Sequence, residues 1–281
     1  MSQLQTRFFL PNGVRAYRTD RPDASYPGVT SVLGKTAGAK AEQALRSWSL
    51  KNPGAKEAAA LRGSNLHAAV ESYVRGKPIT TLDDPEHRAF WHPNLERMLD
   101  VYEGLVWSER PLRPDWNHTM AADGISRVWS HTHRYAGCPD IIGQLSGDRY
   151  TLDDVKSSVG PYCRYYPKTR DRSLFTGWRK FQKCAMQIAA YAIAAKETLG
   201  ITIHQGRVIV IMPNEKPQCF TLDAADLAQY KQRWLQRVRQ YWELVETEAA
   251  INGEPPPPSG PAQAFWEAAQ KEQLVGSPEA Q

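Results

Sequence analysis

Three charged side chains in the stretch GCPDIIGQLSGDRYTLDDVKSS, residues 137–158, have the types and spacing for metal-assisted hydrolysis. Asp140 precedes an apolar run, Ser146-Gly147-Asp148 makes a turn, and a second apolar run ends in Asp154-Val155-Lys156. Residues two apart on a strand share a face, so Asp154 and Lys156 project together while Val155 faces the core. A hairpin brings Asp140, on the neighbouring strand, next to them. Two carboxylates supply hard oxygen ligands for a divalent cation, and a lysine beside them supplies a compact positive charge. The same Asp and Lys also fit an ordinary solvated pair on a surface strand, or a structural ion network in an unrelated enzyme.

Two further pairs sit on helical segments. In Arg62-Gly63-Ser64-Asn65-Leu66-His67, the histidine lies four residues before Glu71, so the two share a helix face. A partly buried histidine bonded to that glutamate is the plainer reading. Gln187 and Tyr191 have the same spacing on an alanine-rich segment and also describe a polar stripe at the edge of a core.

Around these residues the sequence predicts the elements that must position them. Residues 7–19 read as a hairpin about Pro11-Asn12-Gly13, and Thr30 or Ser31 as the cap of a short helix. An apolar stripe of Leu66, Val70, Tyr73 and Val74 marks a helix over about 57–75, ended by Gly76. A second helical region covers about 85–106 with an interruption near Pro93, and 105–156 read as strands. A long helix over 176–199 stops at Gly200, and strands follow at 203–212 and 217–222. Asp223 caps a last helix of about 224–250, whose Leu227, Trp234, Val238 and Tyr241 recur at core spacing. The order predicts one α/β domain over 1–252, a mixed sheet flanked by helices, with a Pro/Ala/Glu-rich tail over 253–281 expected to be mobile.

The chain has 281 residues, 41% hydrophobic and 23% charged, enough to bury a sizeable core. Its net charge of +5 favours an anionic partner. No apolar run reaches membrane-spanning length, so no membrane partner is expected. The first residues, MSQLQTRFFLPNG, lack a signal-peptide core, and a cytoplasmic protein is expected. Cys138, Cys163, Cys184 and Cys219 are scattered, without the close spacing of a zinc or iron–sulfur site, and are read as reduced thiols.

Between Lys156 and Gln187 lies a segment rich in cations and rings. It holds Arg164, Lys168, Arg170, Arg172, Arg179, Lys180 and Lys183, interleaved with Tyr162, Tyr165, Tyr166, Phe175, Trp178 and Phe181. Cations neutralise phosphates and aromatic faces stack on unpaired bases, so the mixture suits single-stranded or frayed DNA. Arg62 belongs to the same basic set. Aromatics that anchor a surface loop to its domain give the same composition. No base-reading motif stands out.

Taken in order, G-x-x-x-H at Gly63 to His67, G-x-x-D at Gly137 to Asp140, D-x-K at Asp154 to Lys156 and Q-x-x-x-Y at Gln187 to Tyr191 resemble the RecB-like exonuclease branch of the PD-(D/E)XK nuclease superfamily. The resemblance spans roughly residues 26–245, and Gly28-Val29-Thr30-Ser31-Val32-Leu33 is most similar to the mitochondrial genome maintenance exonucleases and their bacterial and phage relatives. It implies a restriction-endonuclease-like core and a metal-dependent DNA exonuclease of bacterial or phage origin, selective for single strands. Such an enzyme acts in DNA repair, recombination or replication and leaves a 5′-phosphate and a 3′-hydroxyl. It implies further that Asp140 and Asp154 bind Mg²⁺ or Mn²⁺, with the Val155 carbonyl and His67 as additional ligands. Lys156 would orient or deprotonate the attacking water, Gln187 and Tyr191 would position the site and the DNA backbone, and Glu109 would support it. Relatives that carry an iron–sulfur cluster have four cysteines bracketing these motifs; the spacing here differs, so no cluster is expected. A structure-selective endonuclease and a non-catalytic DNA-binding accessory are the alternatives on the same fold.

Overall fold

The computed structural model describes residues 7–9, 14–21, 24–120, 126–169 and 171–252. The turn at Pro11-Asn12-Gly13, Arg170 and the tail 253–281 lie outside the described residues.

A small antiparallel sheet begins the chain, with β1 (Arg7–Phe9), β2 (Arg15–Arg18) and β3 (Ser25–Pro27). Helix α1 (Val29–Lys35) follows with Gly28 at its N-cap, one turn earlier than the cap expected at Thr30 or Ser31. Those two hydroxyls are used elsewhere: Thr30 Oγ1 accepts from Arg15, and Ser31 Oγ donates to the Arg15 carbonyl over 3.1 Å. Helices α2 (Ala39–Lys51) and α3 (Ala55–Val74) come next, and Gly76, at φ +64°, terminates the latter as expected.

The single helical region expected over 85–106 is instead α4 (Pro85–Arg88) and α5 (Pro93–Leu99). Pro93 opens α5 rather than interrupting a longer helix, because its missing N–H costs nothing in the first turn. Helix ends at Leu99, short of the expected limit near 106, and the chain passes into β4 (Gly104–Ser108), where the expected strands begin, and the short β5 (Arg110–Pro111). A 3₁₀ turn at Pro114–Thr119 leads to β6 (Val128–Ser130) and β7 (Tyr135–Gly137), which form a separate hairpin. The central hairpin is β8 (Ile141–Ser146) and β9 (Arg149–Ser157). Helix α6 (Arg172–Leu199), strands β10 (Ile203–Ile211) and β11 (Gln218–Leu222), and helix α7 (Ala224–Asn252) complete the chain. Asp223 meets α7 as expected, accepting from Asp226 N over 2.9 Å.

The central sheet has six strands in the order β11-β10-β9-β8-β4-β5. Every pairing in it is antiparallel except β9 with β10, which α6 bridges. The alternation along β9 and β10 divides the core in two. Leu152, Val208 and Val210 pack with α6, α7 and α1 on one face. Val155, Ile209 and Ile211 pack with Leu66 and Val70 of α3 and with Leu95 and Leu99 of α5 on the other. Fully burying one such side chain is worth about 1.5–3 kcal/mol, so these two faces hold the sheet between its helices.

Helix α6 begins one turn before the expected start because Asp171 caps it, accepting from Ser173 N over 2.7 Å. Arg172 and Phe175 therefore stand on the helix together with Trp178 and Arg179, which the sequence already placed there. Among the described residues, no helix is long and apolar enough to cross a membrane.

A candidate metal centre at the ends of β8 and β9

The site forms where α3 and α6 flank the start of β8 and the end of β9. Trp107 of β4 is fully buried, and its indole N–H donates to the Pro139 carbonyl over 2.9 Å, fixing the residue before Asp140. Asp140 Oδ2 accepts from Val155 N over 2.8 Å. One charge-assisted backbone bond thus aligns the carboxylate of one strand with the D-x-K segment of the next.

Asp154 and Lys156 share a face as expected. The Lys156 ammonium lies 2.7 Å from Asp154 Oδ1 and 3.6 Å from Asp140 Oδ2, while Val155 between them is buried on the opposite face. The carboxylates outweigh the cost of burial and hold the lysine well above its usual pKa, so it is a cation. Asp154 is buried, with no hydrogen bond to its Oδ2. Burial, helped by repulsion from Asp140 and opposed by Lys156, pushes its carboxyl up to about 6.

His67 faces the other side of Asp140. Its Nδ1 is 2.9 Å from Glu109 Oε1 and 3.7 Å from Asp140 Oδ1. Burial lowers the pKa of this imidazole, but Asp140 and Glu109 more than compensate and raise it to about 9. The expected His67–Glu71 pair does not form. Glu71 turns instead to Arg75 at 3.0 Å and Arg110 at 3.1 Å, because two cations on that side of the helix compete for it.

Glu109 occupies the tight link between β4 and β5 at φ +56°, a left-handed conformation that costs a residue with a Cβ about 1–2 kcal/mol. Its N–H donates to the Asp140 carbonyl over 2.8 Å, and the Cys138 thiol donates to the Glu109 carbonyl over 3.1 Å. Burial raises the Glu109 carboxyl against the pull of His67. His67, Glu109 and Asp140 each offer a ligand atom, all within 4.8 Å of one another. One imidazole nitrogen and two carboxylates are a donor set for a hard to borderline divalent cation. Asp154 lies outside this trio, held by Lys156.

Gln187 and Tyr191 are buried in α6 rather than exposed along its edge. The ring of Tyr191 covers Gly137, where an added Cβ would come within 2.7 Å of Cε1. Glycine is therefore needed three residues before Asp140 to let this ring in. Cys184 of the same helix is buried as a neighbour of the Asp154 carboxylate. Sequence spacing gave no sign of that contact or of the His67–Glu109 pair, since each joins distant segments.

The basic and aromatic segment divides. Tyr162 and Phe181 are buried and anchor it. Tyr165 and Tyr166 are 75% and 63% exposed, and Tyr166 packs edge-on against Phe175 and Trp178 with centroids 5.9 and 5.1 Å away. Lys168, Arg172, Arg179, Lys180 and Lys183 are exposed. Arg164 is engaged within the protein, paired with Asp226 at 2.5 Å and donating to the Thr221 carbonyl. All four cysteines are free thiols, and Cys184 is packed on its helix.

Compared with protein-family models and with curated proteins, the chain finds no match in either.

Proposed function

We propose that the protein is a metal-dependent DNA exonuclease with a restriction-endonuclease-like core, selective for single-stranded or frayed ends and working in repair, recombination or replication. The observation that carries this reading is the convergence of Asp140, Asp154 and Lys156 at one end of the central hairpin, with His67 and Glu109 closing the group. Four motifs that are weak singly and far apart in sequence have no need to meet unless they share a task. A helix-flanked mixed sheet, whose one parallel pair is bridged by α6, supports the core assignment.

Asp140, Glu109 and His67 would hold Mg²⁺ or Mn²⁺, and the family resemblance adds Asp154 and the Val155 carbonyl as further ligands. When bound, the cation supplies Lewis acidity and a water of lowered pKa. The chain's own residues do the rest. Val155 N–H fixes the Asp140 carboxylate, so the ligand needs no reorganisation. Lys156, kept protonated by its two carboxylates, orients the attacking water and offsets charge that builds on the phosphate oxygens. Its charged state favours this role over that of a base. Tyr191, packed on Gly137, braces the segment that delivers Asp140, and Gln187 is buried one turn before it on α6. Hydrolysis would place the phosphate on the 5′ side and leave a 3′-hydroxyl. Exposed Tyr165 and Tyr166, with half-buried Trp178, would stack on bases while Lys168, Arg172, Arg179, Lys180 and Lys183 meet phosphates.

Linear and circular single-stranded DNA, incubated with the protein in Mn²⁺, Mg²⁺ or EDTA, test the reading. Loss of the linear strand alone, with metal, is the expected result. Cutting of the circle would establish an endonuclease instead. Binding without cleavage of either would leave a DNA-binding accessory.

A further inference from the structure

Two cations on α3 and α6 flank the segment that follows Lys156, and among the described residues neither has a counter-charge. Arg62 precedes His67 by five residues on α3, about 7.5 Å along the axis. Its guanidinium lies 5.0 Å over the Phe90 ring, and its Nε is buried without a hydrogen bond. Lys180 approaches from α6, its ammonium 3.3 Å from Ser158 Oγ. Ser158 is itself fixed, donating to the Gly160 carbonyl over 2.7 Å, so it holds the ammonium in place without neutralising it. The two helices reach the same short segment from opposite sides. A Cβ at Gly63 would lie 3.9 Å from Ser157 Oγ, and Ser157 and Ser158 directly follow Lys156. Desolvation and the like charge of Arg62 both pull the Lys180 ammonium below its usual pKa, with the neighbouring Cys184 acting against them. Among the described residues, neither cation has a carboxylate within ion-pair distance.

Two like charges that act on one another are better accommodated when an anion completes the group. The guanidinium offers a rigid fork of donors, stacked on one face and open at its edge, and the ammonium offers a point charge. A phosphate group, carrying up to about two negative charges, matches both in charge and in donors. We infer that Arg62 and Lys180, braced by Phe90 and Ser158, form a single seat for one phosphate group of the bound strand. The seat would fix the register of that strand against the centre at Asp140. The inference rests on the nucleic-acid reading but not on catalysis. The phosphate is either a terminal monoester or a backbone diester.

The seat is tested by fluorescence anisotropy of labelled single-stranded oligonucleotides bearing a 5′-phosphate, a 3′-phosphate or hydroxyl ends, titrated in EDTA over a range of salt. The proteins are wild type, Arg62→Gln, Lys180→Gln and the double variant, with Arg62→Lys retaining charge without the fork and thermal melts checking folding. One phosphate neutralised on a single strand contributes about 0.7 to the log–log salt slope. If both cations share one phosphate, either one alone still neutralises it, so each single variant weakens binding but keeps the slope, and the double variant lowers the slope by about 0.7. A terminal monoester is identified when the effect is confined to one phosphorylated end, and a diester when all three strands lose equally. Additive losses, about 0.7 in each single variant and about 1.4 in the double, would mean two independent contacts and overturn the seat, as would an unchanged slope in the double variant. A protein that cleaves but shows additive slopes loses the seat and keeps the nuclease assignment. One that shows the shared-slope behaviour and never cleaves keeps the seat and loses the nuclease assignment.

Discussion

The backbone N–H of Val155 donates to Asp140 Oδ2 over 2.8 Å, so the strand that carries Asp154 and Lys156 also holds the carboxylate opposite them. The side chain of Val155 is meanwhile buried against α3 and β10. One residue therefore couples core packing to alignment of the site. The hairpin register, Ile141 opposite Asp153, sets that geometry, and a slip by one residue would send Asp154 and Lys156 to the other face.

Lys156→Ala and Asp140→Asn are expected to lower cleavage of linear single-stranded DNA by about 10²–10³-fold or more, with DNA affinity largely retained. Single-turnover cleavage and anisotropy on the same preparations measure both. Loss of binding in well-folded Lys156→Ala protein would contradict its assigned role.

Metal affinity should rise with pH. In the metal-free protein His67 has a pKa of about 9, and an imidazolium is no ligand. Cation binding at neutral pH must displace that proton, so Mn²⁺ affinity gains up to about tenfold per pH unit as pH approaches 9. His67→Gln should flatten the dependence. The sign for folding is opposite. The raised pKa stabilises the metal-free fold fully below pH 6.5, and that contribution fades as pH rises through about 9. Calorimetric Mn²⁺ titrations and metal-free melts across this range check both directions.

Activity should also fall on the acid side. Asp154 titrates near 6, so below that pH it is neutral and Lys156 loses its closest partner. A pH–rate profile limited at its acid edge near 6, rather than near 4, is expected.

A second set of charges supports the sheet. Arg207 of β10 forks onto the fully buried Asp153 and donates to Tyr102 Oη and the Met98 carbonyl. Arg207→Met would leave a buried carboxylate unpaired and should cost about 3–5 kcal/mol. Arg207→Met with Asp153→Leu should recover much of that loss. Urea melts of the single and double variants test the point.

Much of this was legible in the sequence because it depends on local period. The hairpin turn at Ser146-Gly147-Asp148, the alternation that pairs Asp154 with Lys156, and the long apolar-faced helix ending at Gly200 are all short-range patterns. What escaped depends on contacts between distant segments. Glu71 was the nearest partner of His67 on its own helix, yet Arg75 and Arg110 draw it away and Glu109 arrives from β4. The helical region expected to run to about 106 stops at Leu99, because the chain must reach β8 and pair with it from Gly104 onward, a tertiary effect that propensity does not carry. Arg164 looked like one more phosphate ligand until Asp226, on α7, took it.

The measurement that bears most directly on the central claim is single-turnover cleavage of end-labelled linear single-stranded DNA in Mn²⁺ and in EDTA, by wild-type and Asp154→Asn protein side by side. Metal-dependent loss of the strand with wild type, and little or none with Asp154→Asn or in EDTA, is the expected result. Wild-type cleavage that persists in EDTA, or equal rates for the two proteins, would contradict a metal-dependent centre built on Asp140, Asp154 and Lys156.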